Sequence, residues 1–432
     1  MQIKSKAVLL LLISAFIYFP PQCFAAAPPE VETLVHDNSL FACDLYSKFS
    51  NQKGNLFFSP YSISAAIAMT YAGARGNTET EMAKVLHFSL NQEQIHRAFA
   101  QLGARFKEVQ KEGIIKLSVA NALWPQQDSK LLPEFLSLIE KYYEGSITPV
   151  DYKNNAGAIA GMINKWVEEK TQDKIKNIIS PGSLNADTRL VLVNAIYFKG
   201  TWELKFKADQ TKDAPFYVSP DREVQAPTMH QEKHFTYAES ESLQVLELTY
   251  SKGYSIDPST RRIKMYPRDI SMIVLLPKET HGLKKLEKQL SAEHLKLWRS
   301  MLDITPVILY LPKFKMTSTF SMAGTLMAMG MVDAFSKIKA NFSGINGVAG
   351  GDDGLYINAV MHKAFVDVNE EGTEAAAATA VHFGKTGYGD TPPPPPPVIF
   401  RADHPFIFLI QENKTGSILF IGRVTEPTKA GE

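Results

Sequence analysis

Two histidines four positions apart raise the question of a metal site. The segment HQEKH places His230 and His234 on either side of Glu232. On a helix this spacing could bind zinc, but the metalloprotease pattern needs Glu directly after the first His, and Gln231 stands there. The neighbouring sequence is strand-like, which puts both rings on one sheet face without a third ligand. A zinc-dependent hydrolase is therefore an alternative that metal analysis would test.

Other patterns for catalysis are incomplete. The residues Gly384–Thr386 read GKT, like the end of a phosphate-binding loop, but Thr379 stands where that loop needs its first Gly. The sequence contains neither a Gly-x-Ser-x-Gly nucleophile elbow nor a glycine-rich dinucleotide fingerprint. We therefore predict a binding or inhibitory protein that is not an enzyme and has no cofactor.

The elements that would position such residues follow an α+β pattern, because helices lead and strands follow. We predict an amphipathic helix over Glu30–Phe49, and a short strand and two helices within Asn55–Leu86. Ser59 is the expected cap of the first of those two helices, with Pro60 in its first turn. A surface helix is predicted over Gly161–Ile179.

Apolar and alternating segments predict the strands. Thr188–Trp202 is so apolar that we expect it to be buried on both faces. A hairpin around Asn413–Gly416 is expected to close the chain. The other predicted strands are Ile114–Gln126, Phe235–Ala238, Leu243–Tyr250, Ser271–Leu276, Pro306–Pro312, Gly354–Val368, Phe406–Ile410 and Ile418–Val424.

The first residues are typical of a secretory signal peptide. Lys4 and Lys6 precede the apolar run Ala7–Phe19, and Cys23–Ala25 fits a small-residue cleavage site. The run is shorter than the about 20 residues that span a bilayer. We predict that residues 1–25 are removed, that residues 26–432 form one domain, and that the protein is exported to the extracellular or periplasmic space.

The net charge limits the classes of binding partner, and the cysteine content indicates the source of stability. Without Lys4 and Lys6, the 46 basic residues fall to 44, against 45 acidic ones. This near-neutral balance argues against capture of nucleic acid or of a membrane surface. Cys43 is the only cysteine after the leader, so no intramolecular disulfide can form and stability must come from core burial.

The segment EEGTEAAAATAVHFGKTGYGDTPPPPPP, Glu370–Pro397, has two plausible conformations. Its alanine run favours a helix, whereas the surrounding Gly, Thr and Pro favour an exposed loop.

This segment also takes part in a resemblance to the serpin family that covers essentially the whole chain after the leader. Seven motifs appear in the family's order: NLFFSPYSI (55–63), LVNAIYFKGTW (192–202), LPKF (311–314), MGMVDAFS (329–336), NAVMHKAFVDV (358–368), NEEGTEAAAATA (369–380) and FRADHPFIFLI (400–410). The resemblance implies a single α+β domain with three β-sheets and about nine helices. It also implies an exposed reactive-centre loop at about residues 370–400.

The resemblance implies a suicide-substrate mechanism of protease inhibition. A serine protease cleaves the loop and is held as an acyl-enzyme while the loop inserts as a new strand into the main sheet. Read as that strand, Thr373, Ala375, Ala377 and Thr379 share a small, uncharged face that can enter a packed core. The implied hinge comprises Gly372, Thr373, Glu374, Ala375, Ala376, Ala377, Ala378 and Thr379.

The same resemblance assigns residues that control insertion. Trp202, Lys313 and Glu370 match the breach, where the sheet first opens. Four polar residues match the shutter under the sheet centre: Ser59, Ser62, Asn194 and His362. Taken singly, Ser59 is equally a helix cap and His362 a core histidine.

Family spacing places the reactive bond between Thr386 and Gly387, which favours an elastase-like or subtilisin-like target. Cleavage one residue earlier, between Lys385 and Thr386, would mean a trypsin-like target, and Tyr388 is a third choice. The chain departs from the family's pattern by the run Pro392–Pro397 and by a longer segment at Ser251–Asp269.

We therefore predict a monomeric, exported inhibitor of serine endopeptidases. Two alternatives keep the serpin fold: a non-inhibitory carrier or chaperone, and an inhibitor of cysteine proteases that uses the same loop.

Overall fold

A computed structural model describes residues 27–257, 262–373 and 396–428. Over these ranges the α-helices are α1 Pro29–Phe49, α2 Pro60–Tyr71, α3 Gly76–Val85, α4 Gln92–Gln110, α5 Pro133–Tyr143, α6 Tyr152–Lys170, α7 Leu283–Gln289, α8 Ala292–Ser300, α9 Ala323–Met329 and α10 Ser343–Asn346. Among them, none combines the length and apolar character needed to cross a bilayer.

The strands over the same ranges are β1 Leu56–Phe58, β2 Ile115–Pro125, β3 Ser146–Ile147, β4 Leu190–Thr201, β5 Lys212–Ser219, β6 Arg222–Glu239, β7 Leu243–Tyr250, β8 Tyr254–Ile256, β9 Ile263–Met265, β10 Ile270–Pro277, β11 Asp303–Pro312, β12 Phe314–Ser321, β13 Ala359–Asn369, β14 Gly372–Thr373, β15 Val398–Arg401, β16 Phe406–Glu412 and β17 Ile418–Val424.

The described strands form three sheets. A nine-stranded sheet has the order β1-β17-β16-β10-β7-β6-β11-β15, with β5 beside β6. A six-stranded sheet has the order β12-β13-β14-β4-β2-β3, and β8 and β9 form a separate hairpin. The predicted α+β class with three sheets is confirmed, whereas the described part of the chain contains ten helices instead of about nine.

Strand β4 of the six-stranded sheet is buried on both faces, as its apolar sequence predicted. Along β4, Val193 and Tyr197 face one hydrophobic cluster together with residues of α6, while Leu192 and Ile196 face the main core. All twelve residues of α2 are buried in that core. The helix begins where the Ser59 side chain accepts a hydrogen bond from the backbone N–H of Ser62.

The predicted surface helix at Gly161–Ile179 is wrong at both ends, because α6 spans Tyr152–Lys170. It begins at Asp151, whose side chain accepts from the backbone N–H of Asn154 at 3.3 Å. It ends at Thr171, whose hydroxyl donates to the carbonyl of Val167 at 2.8 Å. The first of these bonds satisfies one free N–H group at the helix start, and the second adds to the bond that the Val167 carbonyl accepts from the backbone N–H of Thr171.

The predicted strand Gly354–Val368 begins later, at Ala359. The side-chain oxygen of Asn358 accepts hydrogen bonds from the backbone N–H groups of Arg189 and Leu190. This contact places Asn358 beside the start of β4, so that the ladder between β13 and β4 starts at the next residue.

Candidate functional site

The six-stranded sheet is open at one end. β4 and β13 run parallel and pair from Val191 with Ala359 to Tyr197 with Phe365. Beyond these pairs the two strands separate, and the short antiparallel strand β14 lies between them and pairs with both. The chain that follows β13 thus turns back into the sheet instead of leaving it.

The two residues of β14 are held closely. A Cβ at Gly372 would lie 2.0 Å from the carbonyl oxygen of Gly200, so only glycine fits there. Thr373 is fully buried, and its hydroxyl lies 2.7 Å from the hydroxyl of Tyr250. Burial raises the pKa of Tyr250, which therefore stays protonated. The expectation that the exposed loop begins at about residue 370 is wrong for these two residues.

An ion pair closes the turn before β14. Lys313 Nζ lies 2.9 Å from Glu370 Oε2, and the Thr211 hydroxyl donates to Glu370 Oε1 at 2.8 Å. Burial alone would raise the pKa of Glu370, but the hydrogen bonds from Lys313, the backbone and Thr211 hold it below its usual value. Glu370 is therefore a stable anion at the mouth of the open end.

Trp202 covers the same opening. Its indole N–H donates to the carbonyl of Asn369 at 2.9 Å, and its backbone N–H donates to the carbonyl of Glu371 at 3.0 Å. The indole stacks on the ring of Tyr250 with centroids 4.3 Å apart. One buried aromatic pair therefore holds both the turn before β14 and, through Tyr250, the side chain of Thr373.

A buried polar cluster lies farther along the sheet. The backbone N–H of Ser59 donates to His362 Nε2 at 3.1 Å, which places the histidine proton on Nδ1. That proton is donated to Asn194 Oδ1 at 2.5 Å. Burial lowers the pKa of His362 to about 3, so the ring is neutral at physiological pH.

Asn194 extends this cluster to two more elements. Its amide nitrogen donates to the carbonyl of Ser62 at 3.1 Å, and also to the Ser62 hydroxyl and to Asn121 Oδ1. Because Asn194 and His362 are directly opposite in β4 and β13, the cluster joins the two strands to α2 and β2. Ser59, Ser62, Asn194 and His362 thus lie together, as do Trp202, Lys313 and Glu370 at the open end.

A family model described as serpin (serine protease inhibitor) matches residues 36–427. The chain belongs to the serpin family. It is 39% identical to human Serpin B3 over 417 residues, which cover 92% of this chain and 100% of that protein. It is 40% identical to mouse leukocyte elastase inhibitor A over 408 residues, with 92% and 100% covered.

Solved structures resemble this serpin over the same extent. Serpin48 of the insect Tenebrio molitor, titled a highly specific serpin, matches with a TM-score of 0.77 and 31% identity, covering 93% of this chain and 100% of that one. Human thyroxine-binding globulin in complex with thyroxine matches with a TM-score of 0.78, 31% identity and the same coverage. Family membership confirms the resemblance that the sequence motifs predicted, and the relatives that are named for an activity are protease inhibitors and not enzymes.

Several predicted site residues lie outside the described ranges. They include both candidate reactive bonds (Lys385, Thr386 and Gly387), the predicted leader, and the rest of the hinge (Glu374, Ala375, Ala376, Ala377, Ala378 and Thr379). The alternative zinc site gains no ligand: His230 and His234 lie in β6, and across the described ranges no group of three or more His, Cys, Asp or Glu could hold a metal ion.

Sequence reasoning missed three partners of the predicted residues: Asn121, Thr211 and Tyr250. Asn121 carried a signal, because it is a polar residue in the middle of a mostly apolar strand. Tyr250 carried none, since a tyrosine at a strand end is common and its contact with Thr373 joins residues 123 positions apart.

Proposed function

We propose that this serpin inhibits serine endopeptidases as a suicide substrate. The observation that carries the proposal is β14, which already pairs with both β4 and β13 at the open end of the six-stranded sheet. A cleaved loop needs a gap between these two strands, and the first two residues of such a strand occupy it.

The chemistry of the following residues suits continued insertion. Because alternate residues of a strand share a face, Ala375, Ala377 and Thr379 would follow Thr373 toward the core below the sheet. These side chains are small and uncharged, so their burial leaves no unpaired charge and little excess volume.

The predicted roles of the breach and shutter residues fit this path. A strand that passes between β4 and β13 must exchange the contact of His362 with Asn194 for new partners. The ion pair of Lys313 with Glu370 and the cover of Trp202 stand at the entrance. We propose that these two sets control when the sheet opens and take no part in bond cleavage.

The target that we propose is an elastase-like or subtilisin-like protease that cleaves the loop after Thr386. A trypsin-like protease that cleaves after Lys385 is the second choice. Six similar proteins are named leukocyte elastase inhibitors, which supports the first choice. Mass spectrometry of the fragment that a protease releases would identify the bond.

We also propose that residues 1–25 direct export and are then removed, so that the protein acts outside the cytoplasm as a monomer. Expression of the full chain in a secreting host should yield a protein that starts at Ala26. An intact Met1 in the exported protein, or retention of all product inside the cell, would contradict this proposal.

The decisive experiment mixes the protein with elastase-, subtilisin-, trypsin- and papain-like proteases and separates the products on denaturing gels. We expect an adduct that survives denaturation with at least one serine protease. Only clipped product with every enzyme would overturn the inhibitory function and favour a carrier, the kind of protein that thyroxine-binding globulin represents. An adduct with the papain-like enzyme alone would assign the cysteine protease alternative.

A further inference from the structure

Three side chains form a row across the nine-stranded sheet, and one of them is a histidine of the HQEKH segment. Tyr310 of β11 lies directly opposite His230 of β6 and directly opposite Arg401 of β15. The His230 and Tyr310 rings stack with centroids 4.5 Å apart. The Arg401 guanidinium carbon lies 3.8 Å from the centre of the Tyr310 ring. The tyrosine ring is thus flanked from both neighbouring strands.

The guanidinium of this row is held in place, and no counter-charge faces it from the described part of the chain. Arg401 is exposed and forms no ion pair with any carboxylate of the described residues. The carboxylate of Asp403 is bonded to His404 instead, at 2.7 Å. Glu232, in the next row on β6, is separated from β15 by the whole width of β11. Stacking on an aromatic ring orients the planar cation, and such a cation binds carboxylates in a bidentate manner.

Space for an incoming group adjoins the row. An open pocket of about 270 Å³ is lined by Tyr217, Thr228, Tyr310 and Arg401, together with Ala214, Pro215, Ala402 and Asp403. The Tyr310 hydroxyl on its wall has no hydrogen-bond partner within the described ranges. Among the described residues, the pocket thus offers a hydroxyl donor beside a cation that has no ion-pair partner, while the carboxylate of Asp403 on its wall is held by His404. This combination suits one carboxylate group next to Arg401.

Arg401, at one end of the row, lies close in sequence to the reactive-centre loop. β15 is the strand in which Arg401 lies, and it follows the segment 370–397 directly. β15 is an end strand of the nine-stranded sheet, and it begins at Val398, eleven positions in sequence after Gly387 of the predicted reactive bond. Charged groups next to a primary contact act mainly on the rate and specificity of association.

We propose that His230, Tyr310 and Arg401 form a docking site for an acidic side chain on the surface of the target protease. This inference rests on the proposed inhibitory function, but it concerns the encounter and not the trap. Loss of the docking site should therefore lower the total rate at which the protease cuts the loop. The share of cuts that end as a stable adduct should not depend on it.

The test uses the full chain and the protease of the panel that cuts it fastest. Adduct and clipped product are summed to give one second-order rate constant, and their ratio is recorded separately. We expect Arg401→Glu to lower the summed rate constant about tenfold at low salt and Arg401→Lys to lower it less. The difference should vanish at about 1 M salt, where charges are screened within roughly 3 Å. Lys233→Glu, an exposed cation on the opposite face of β6, is the matched control.

The outcomes separate the two proposals. If Arg401→Glu and Lys233→Glu both stay within twofold of the unmodified chain, the docking site is wrong, and any adduct formed keeps the inhibitory function. If the rate falls only for Arg401→Glu but all product is clipped, the docking site stands and the trap is wrong. If no protease of the panel cuts the loop, both proposals are overturned.

Discussion

At the scale of single residues, His362 makes the stability of the sheet depend on pH. Its folded pKa of about 3 lies below the ordinary 6.5, so between these values the unfolded chain binds a proton that the native chain excludes. The contribution of His362 to the free energy of unfolding is therefore fully present above pH 6.5. It decreases as the pH drops toward 3, by at most about 1.4 kcal/mol per pH unit. His96, whose pKa burial lowers to about 4, adds a second contribution of the same sign.

We predict that His362→Gln flattens this dependence. The urea midpoint for loss of native structure, measured from pH 7.5 to pH 4, should fall less steeply in the variant than in the unmodified chain. His96→Phe is the matched control and should flatten the curve separately, with the two effects additive. A His362→Gln curve parallel to that of the unmodified chain would show that folding does not lower the pKa of His362.

The contact of Tyr250 with Thr373 leads to a second prediction. Removal of the Tyr250 hydroxyl leaves the buried Thr373 hydroxyl without its partner, which costs about 1–3 kcal/mol. Tyr250→Phe should therefore loosen β14, and the backbone amides of Gly372 and Thr373 should exchange hydrogen at least about fivefold faster, since 1.4 kcal/mol corresponds to tenfold. Tyr237→Phe, a tyrosine on the neighbouring strand, should leave those two amides unchanged.

At the scale of elements, the strand after Gly372 can enter the sheet only if its core-facing side chains are uncharged. We predict that Thr373→Arg leaves the rate of loop cleavage unchanged and converts the product from adduct to clipped protein. The reason is that an arginine at this fully buried position has no counter-charge. The gel assay described above measures both quantities.

Thr319→Arg is the control for that experiment. Thr319 is exposed on β12, the edge strand of the same sheet, so a charge there should not affect the adduct. If Thr373→Arg still forms the adduct in full yield, an uncharged side chain at this position is not needed to trap the protease, and the insertion argument is wrong here.

The elements also show where sequence reasoning stops. Burial of β4 on both faces followed from its apolar run, and the cap at Ser59 followed from its type and from Pro60. The ends of α6 were missed. Asp151 carried a signal, because aspartate is a preferred helix cap, whereas Thr171 acts through a hydrogen bond that the apolar period does not encode. The breach and shutter residues were found through a family resemblance, whereas Tyr250 and Asn121 depend on contacts that only the assembled sheets create.

At the scale of the whole molecule, insertion of the cleaved loop should stabilise the protein. A new strand would pair along β4 and β13 and bury its apolar face. We predict that cleavage at the reactive bond raises the thermal midpoint by at least about 10 °C, since 1 kcal/mol moves the midpoint of a domain this large by roughly 2 °C. Scanning calorimetry before and after complete clipping measures the shift. Clipped Thr373→Arg should show no rise, and an unchanged midpoint for both would point to a carrier.

The burial of the Thr373 side chain on the core face of the sheet has a consequence for how this chain can vary in length. Since side chains alternate along a strand, deleting one residue between Thr373 and the cleaved bond would turn every later residue to the opposite face. Adding residues between that bond and β15 changes no register. Insertions and deletions of an odd number of residues are thus disfavoured before the cleaved bond, whereas length changes after it alter no register. The side after the bond is where this sequence carries six consecutive prolines.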